Sequence, residues 1–251
     1  MKNLKSKTRS SAMGLVIGAL LTSSTMATAA SRLSESFSAV GTVPDDWKVV
    51  QRLGLEVPAI VEVGPMKPDG TGTALMISRP GAVASNAAVF FEGSVGNIRD
   101  GKLDDLYASV LIRFTEARSG SNSRGIVLRA DTESYGNFGG YYIAVIPRNN
   151  ERGIGIFKNP LDHVDNGEML AFTALKENLS PYVDYSLRVK AVGQVIEASI
   201  SEESGISEII ASVRIDEATK TKAGLFGLRA GHTNSGPVTT YFHQLHFSQI
   251  K

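Results

Sequence analysis

The second half of the chain is an almost continuous series of short β-type segments, and this feature constrains the fold more than any other. From Leu106 onward, ten runs of 6 to 12 residues are rich in β-branched or aromatic residues. Gly, Asn and charged residues separate them. The first run is LYASVLIRF (106–114) and the last is TTYFHQLHFSQI (239–250). This spacing predicts an all-β sandwich of two sheets rather than a doubly wound fold.

The first half of the chain continues the β pattern less regularly. Strands are predicted over 33–37, from Trp47 onward, and over 74–78 and 86–93. The segment 52–72 contains three prolines and four glycines, which predicts a loop or an irregular sheet edge. Helical turns are predicted only at 98–105 and 170–177, and both are short.

The first 30 residues have the three-part pattern of a secretory signal. Four basic residues and no acid precede the apolar run Gly14–Leu21, and small residues follow as far as Ala30. The apolar run of eight residues is far shorter than the ~20 residues that a membrane-spanning helix needs. We therefore expect cleavage near Ala29 or Ala30 and no membrane span. Residues 31–251 would form the mature domain, secreted or periplasmic.

Composition excludes several kinds of partner and site. The chain has no Cys, so disulfides and thiolate metal sites are excluded. It has 26 basic and 25 acidic residues, and removal of the four basic residues of the signal leaves 22 against 25, a net charge of about −3. Nucleic-acid binding requires a basic surface, so no nucleic-acid partner is predicted. The remaining ~220 residues are enough for one domain that buries roughly 70% of its unfolded surface.

Alternation along the strands assigns each side chain to a face. One side of 106–114 carries Leu106, Ala108, Val110, Ile112 and Phe114. In the same way, Ile126, Leu128 and Ala130 are predicted to face the core, as are Leu187 and Val189. The outward positions of several strands carry cations: Arg113, Arg129, Lys158, Arg188, Lys190 and Arg229. If those strands are neighbours in one sheet, their outer face would favour an anionic polysaccharide through charge-assisted contacts.

A group of aromatic residues near 135–142 is the best candidate for an exposed aromatic patch. Tyr135, Phe138, Tyr141 and Tyr142 stand among Gly and Asn residues, where a loop leads into a strand. Sugar-binding faces present aromatic rings because the apolar face of a pyranose packs on them. Trp47, the single tryptophan, adjoins an apolar strand and is predicted to lie in the core.

Several segments together resemble a known superfamily. They are Glu35-Ser36-Phe37 followed by Trp47, then RGIVLRAD, GGYYIAV, YSLRVK before a Gly turn, AGLFGLRAG and an aromatic last strand. The chain resembles the concanavalin A-like lectin/glucanase superfamily in its laminin-G-like bacterial form over nearly all of 31–251. The resemblance implies a jelly roll of two curved antiparallel sheets with adjacent first and last strands. It also implies a concave face that binds glycan in many relatives. Because relatives include hydrolases, lyases and adhesion modules, the fold does not choose among these functions.

The catalytic patterns of such relatives are not found in this sequence. Superfamily hydrolases carry E-x-D-x-E, and the only approach to it is RADTE (129–133), where Arg129 replaces the first carboxylate. A lyase would need a cation and a Tyr or His base. Residues of those types are Arg113, Arg129, Arg188, Tyr141, Tyr142, His243 and His246, but the familiar alginate-lyase signatures are absent. No catalytic residue is predicted.

Metal binding has weak support in the sequence. The segment 162–168 is similar to the start of an EF-hand calcium loop. Counted from Asp162, however, positions 3 and 12 are Val164 and Thr173, which do not fit the pattern. The resemblance implies a structural calcium ion between the first and last strands, with Glu35 as a ligand, although the last strand lacks the expected Asp. His243 and His246 are three residues apart in a strand, so they are predicted to face opposite sides and to form no zinc site.

The sequence thus predicts a non-catalytic, lectin-like domain whose partner is a polysaccharide, with an anionic polysaccharide favoured. The predicted ligand-binding residues are Arg113, Arg129, Tyr135, Tyr141, Tyr142, Lys158, Arg188 and Arg229. Two alternatives stay open: a jelly-roll lyase acting on a uronate-containing glycan, and a structural or adhesion module with no glycan ligand.

Overall fold

The computed structural model describes most of the chain after residue 31. The described residues are 32–51, 58–79, 85–94, 102–115, 122–130, 139–147, 151–158, 167–203, 209–216, 223–232 and 237–250. Within these ranges the chain forms sixteen strands and no helix. It follows that no helix in this part of the chain could cross a membrane.

The strands are numbered in chain order. The first eight are β1 (Arg32–Glu35), β2 (Trp47–Gln51), β3 (Ile60–Pro65), β4 (Thr73–Arg79), β5 (Ser85–Phe91), β6 (Lys102–Leu103), β7 (Leu106–Phe114) and β8 (Ser123–Ala130). The last eight are β9 (Tyr141–Ile146), β10 (Gly153–Lys158), β11 (Glu168–Ala174), β12 (Tyr185–Val192), β13 (Val195–Glu202), β14 (Ile209–Asp216), β15 (Gly224–His232) and β16 (Val238–Gln249).

Two antiparallel sheets contain all of these strands. The first sheet has the order β14-β13-β12-β7-β16-β4-β3, and β1 also pairs with β16. The second sheet has the order β11-β10-β9-β8-β15-β5-β2, and β6 also pairs with β15. The predicted all-β sandwich is confirmed. The first and last strands are adjacent, as the family resemblance implies.

The core lies between the two sheets and follows the predicted alternation. On β7, the five inward side chains predicted from the sequence are at most 2% exposed. On β12, Leu187 and Val189 are buried, while Arg188 is half-buried and Lys190 is exposed. Inward side chains of both sheets form one continuous apolar cluster. Burial of this cluster supplies the main stabilising free energy of a chain without disulfides.

An aromatic cluster joins the two sheets at one end of the sandwich. The ring centroid of Trp47 lies 5.7 Å from Phe37, 5.4 Å from Phe91 and 6.4 Å from Phe226. Phe226 on β15 stacks on Phe247 of β16, with centroids 4.7 Å apart, so this pair spans the interface between the sheets. Trp47 is 5% exposed, which confirms its predicted place in the core.

Two predicted helical turns and one predicted core position were wrong. Residues 168–174 form strand β11 rather than a helical turn, because they complete the edge of the second sheet beside β10. Residues 60–65, within the segment predicted as a loop or an irregular sheet edge, form strand β3 at the edge of the first sheet, because Ile60, Val61 and Val63 give a β-branched run that pairs with β4. In the helical turn predicted at 98–105, residues 102–103 form strand β6 instead. Residues 95–101 lie outside the described residues.

The third error concerns the end of β8. Ile126 and Leu128 lie in the main core as predicted, but Ala130 joins an apolar cluster on the other side of the second sheet. Arg129 has a φ of 53°, and the pairing of β15 with β8 shifts register at this point. A left-handed residue in a strand reverses the alternation after it, so Ala130 faces away from Leu128.

Candidate ligand-binding groove on the first sheet

The outward face of the first sheet is open, whereas the central part of the outward face of the second sheet is buried. On the second sheet, outward residues such as Val127, Tyr142 and Phe157 belong to a buried apolar cluster. On the first sheet, most outward residues of β7, β12, β13 and β14 are partly or fully exposed, among them Tyr107 at 39%. A ligand therefore has access to the first sheet in this structure.

Strand pairing arranges the outward side chains of the first sheet in rows that cross the strands. One row, called the central row, consists of Ser212, Ser199, Arg188, Ser109, His246 and Ser34. The row beside it, called the flanking row, consists of Arg214, Glu197, Lys190, Tyr107 and Ser248. Each row takes one outward residue from each of successive neighbouring strands. Hydroxyl and charged groups are thus aligned across the sheet.

A groove of about 660 Å³ lies over these two rows. Its floor includes Tyr107, Arg188, Lys190, Ser199 and Ser212, and residues 171–173 of β11 form a wall. The wall is tied to the floor because the Thr173 hydroxyl donates a 2.7 Å hydrogen bond to the Ser212 carbonyl oxygen. The groove therefore combines an aromatic ring with hydroxyls and charged groups, as sites for polar ligands do.

The groove has an excess of positive charge. Arg214 forms an ion pair with Glu197, so the charges of these two residues cancel. Among the described residues, nothing forms a hydrogen bond or ion pair with the side chains of Arg188 or Lys190. Two cations are therefore free to bind a ligand, and a carboxylate or sulfate group would satisfy them with charge-assisted hydrogen bonds.

A β-bulge brings His243 and His246 to the same face, contrary to the prediction. His243 pairs with Leu111 and His246 pairs with Ser109, so β16 advances three residues while β7 advances two. Gln244, inside the bulge, has a φ of 48°. The extra residue restores both histidines to the outward side. The prediction failed because it assumed an unbroken strand.

The bulge opens a second depression beside the main groove. Its volume is about 270 Å³, and its lining includes Ser109, Ser186, Gln244 and His246. Tyr107 and Arg188 line both depressions. The Ser34 hydroxyl lies 2.8 Å from His246 Nδ1, and this contact holds the imidazole ring in place.

Arg113, one of the predicted ligand-binding residues, is bound by Asp184. Its Nε and Nη2 atoms donate hydrogen bonds of 2.8 and 2.7 Å to the two carboxylate oxygens. His243 Nε2 lies 3.0 Å from Asp184 Oδ1. Burial alone would raise the pKa of Asp184, but hydrogen bonds from His243 and Arg113 lower it to about 2. Arg113 and His243 therefore serve to hold this carboxylate, and the hydrogen bonds to Asp184 raise the pKa of Arg113.

We expect the stability of the protein to fall between about pH 4 and pH 2 through Asp184. The folded pKa, about 2, is below the ordinary value of 3.8, so the contribution is complete above pH 4 and is lost as the pH falls through 2. After allowance for partial exposure it is about 1–2 kcal/mol. Urea unfolding of the wild type and of Asp184→Asn measures it. The difference between the two free energies of unfolding should shrink over this pH range, and parallel curves would contradict the assignment.

Arg129, a second predicted ligand-binding residue, is 3% exposed and contacts the protein itself. Its Nε donates to the Asp104 carbonyl and its Nη2 to the Gly193 carbonyl, both at 3.0 Å. The Asp105 carboxylate accepts a further hydrogen bond from Gly193 N at 2.8 Å and lies 3.4 Å from Arg129 Nη2. Arg129 thus connects β8 to the start of β7 and to the β12–β13 turn.

The remaining predicted ligand-binding residues lie on the second sheet or outside the described residues. Tyr141 is buried in the main core. Tyr142 and Arg229 are buried on the other side of this sheet, with the Arg229 guanidinium carbon 4.5 Å from the centre of the Tyr142 ring. Lys158 ends β10 and is half-buried. Tyr135 and the segment 159–166 are among the residues not described.

Glu35 accepts a hydrogen bond of 2.8 Å from the backbone N–H of Phe37. This contact closes a turn at the end of β1, where Phe37 has a φ of 49°. In the described ranges, no three His, Asp or Glu side chains are grouped so as to hold a metal ion. A structural calcium ion bound by Glu35 stays a prediction.

Comparison with solved structures identifies the fold. The legume lectin-like domain from Entamoeba histolytica matches with a TM-score of 0.54 and 14% identity, over 82% of this chain and 91% of that domain. Peanut lectin with a nine-residue peptide matches with a TM-score of 0.54 and 11% identity, over 88% and 99%. The exoplasmic/lumenal domain of VIP36 bound to Ca²⁺ and Man3GlcNAc matches with a TM-score of 0.53 and 11% identity, over 87% and 91%.

These matches establish the concanavalin A-like lectin fold that the sequence resemblance indicates. At 10 to 14% identity, as for these three proteins and a Lotus tetragonolobus seed lectin, they show the fold alone. No family model matches the chain, and neither does any curated protein sequence. The laminin-G-like form stays a prediction.

Proposed function

We propose that this protein is a secreted carbohydrate-binding domain that takes an anionic polysaccharide on the outward face of the first sheet. The observation that carries the proposal is the open groove in which Arg188 and Lys190, beside the exposed ring of Tyr107, have no partner among the described residues. The N-terminal signal pattern supports secretion. The charge excess of the groove supports an anionic ligand.

The chemistry of the groove suits a sugar polymer with acidic groups. Hydroxyls of Ser109, Ser199 and Ser212 can donate to and accept from sugar hydroxyls. The ring of Tyr107 offers an apolar surface for a pyranose face. Arg188 and Lys190 can bind carboxylate or sulfate groups, and these bonds are about twice as strong as neutral ones.

The structural neighbours are consistent with this proposal. Three of them are lectins or lectin-like domains, and the VIP36 structure contains an oligosaccharide. The groove proposed here is defined by residues of this chain and does not depend on where those proteins bind their ligands.

Affinity electrophoresis of the purified protein tests the proposal. Gels would contain alginate, polygalacturonate or dextran sulfate, with dextran and soluble cellulose derivatives as neutral comparisons. We expect retention by at least one charged polymer and a decrease in retention as ionic strength rises. Equal retention by the neutral polymers would overturn the preference for an anion. Mobility unchanged in every gel would overturn glycan binding and favour the adhesion module.

The same incubations separate binding from lyase activity. A lyase would release unsaturated uronate products, which absorb in the ultraviolet, whereas a binding domain leaves the absorbance unchanged. Arg113 and His243 are both occupied by Asp184, so these two residues offer no free acid or base beside the groove.

A further inference from the structure

We infer that the ligand lies across the strands along the central row, so that the protein binds an extended stretch of several sugars rather than one terminal sugar. This inference rests on the proposed function and specifies the ligand further. Three features of the first sheet support it: the length of the row, the continuity of the two depressions and the position of His246.

The central row is long. It takes one residue from each of six strands, β14, β13, β12, β7, β16 and β1. Neighbouring strands are about 4.8 Å apart, so five intervals give a length of about 24 Å. This is several times the length of one pyranose ring. A single sugar could contact only a small part of the row.

The two depressions are joined at Arg188. The main groove covers β14, β13, β12 and β7, and the second depression covers β12, β7 and β16. Arg188 and Tyr107 line both of them. A ligand bound to Arg188 can therefore extend in either direction along the row without leaving the surface depression.

His246 is placed at the far part of the row by a strained segment. Gln244 has a left-handed backbone that is uncommon for residues other than glycine. Strain of this kind is concentrated at functional sites, and here its result is that His246 aligns with Ser109 and Arg188. The Nδ1 atom of His246 contacts Ser34, while Nε2 has no hydrogen-bond partner among the described residues. One ring nitrogen is thus available to a ligand.

Isothermal titration with oligosaccharides of graded length tests this inference on the full protein. The probes are size-fractionated oligosaccharides of alginate, polygalacturonate and dextran sulfate, from disaccharide to octasaccharide. We expect the affinity to increase at least ten-fold from disaccharide to hexasaccharide and then to level off. His246→Ala should lower the hexasaccharide affinity about five- to ten-fold and leave the disaccharide affinity unchanged, because the disaccharide binds at Arg188.

His246→Gln provides the conservative comparison, since it keeps a hydrogen-bonding group and should retain more hexasaccharide affinity than His246→Ala. Unchanged disaccharide affinity in both variants shows that they are folded. A disaccharide that binds as tightly as the hexasaccharide would overturn the inference and leave glycan binding intact. Equal losses for both lengths in His246→Ala would overturn it as well. If no oligosaccharide of any length binds, the proposed function itself fails.

Discussion

Replacing Arg188 and Lys190 together by alanine is expected to weaken the binding of an anionic polysaccharide about 100-fold. Hydrogen bonds to charged groups are worth about 1.5–3 kcal/mol each, and 1.4 kcal/mol corresponds to a factor of ten in affinity. Arg188 is half-buried at the junction of the two depressions, while Lys190 is exposed. Most of the loss should therefore come from Arg188. Isothermal titration at low and moderate salt measures the change.

A charge-matched variant distinguishes a specific site from general attraction. Lys48→Ala combined with Lys176→Ala also removes two positive charges, but both residues are exposed and outside the groove. We expect this control to bind within about three-fold of the wild type. An equal loss in both double variants would show that net charge alone attracts the polymer. Unchanged affinity in the Arg188 and Lys190 variant would place the ligand elsewhere.

The faces of individual strands could be predicted from the sequence because alternation is a local property. The outward positions of Tyr107, Ser109, Arg188 and Lys190 were all readable from period-two patterns in β7 and β12. In this respect the sequence was sufficient to locate the part of the candidate site that lies on β7 and β12.

The grouping of those components could not be predicted, because strand pairing is not local. Alternation places six cations at outward strand positions. The structure divides them, with Arg113, Arg188 and Lys190 on the first sheet and the other three on the second. β7 pairs with β12 across seventy residues of intervening sequence. No periodicity within a strand specifies that partner.

Backbone irregularities explain most of the remaining differences. Arg129 and Gln244 both have positive φ values although neither is glycine. In each case the alternation reverses, which moves Ala130 away from the main core and His246 onto the outward face. A sequence pattern assigns a side chain to a face by counting residues along the strand. A positive φ at a residue other than glycine cannot be recognised from the sequence, so the count continues past it with the faces exchanged.

The burial of Tyr142 and Arg229 also could not be predicted from the sequence. A Tyr or Arg on an outward strand position is ordinarily exposed, and the cation–π contact between these two residues was not visible without the pairing of β15, β8 and β9. Because both side chains are buried, they are not available to a ligand in this structure.

Trp47→Ala is expected to lower the free energy of unfolding by about 3–5 kcal/mol, the usual range for removing a large buried aromatic side chain. Trp47 contacts Phe37, Phe91 and Phe226. Through Phe226 it supports the stacked pair with Phe247 that joins the two sheets. The cavity would therefore open at the interface between the sheets, where the surrounding strands cannot collapse without losing their pairing. Urea unfolding followed by circular dichroism measures the loss.

Trp47→Phe should cost less than half as much as Trp47→Ala, for a reason specific to this site. Within the described residues the buried Nε1 of Trp47 has no hydrogen-bond partner, and an unsatisfied buried donor costs about 1–3 kcal/mol. Phenylalanine removes that donor while it keeps an aromatic ring against Phe91, so the two effects partly cancel. Tyr107→Ala, on the exposed face, is the control and should change stability by less than about 1 kcal/mol. If Trp47→Phe destabilised the protein as much as Trp47→Ala, the stabilisation would come from a hydrogen bond of the indole N–H. That result would contradict the assignment of the stabilisation to aromatic packing between the sheets.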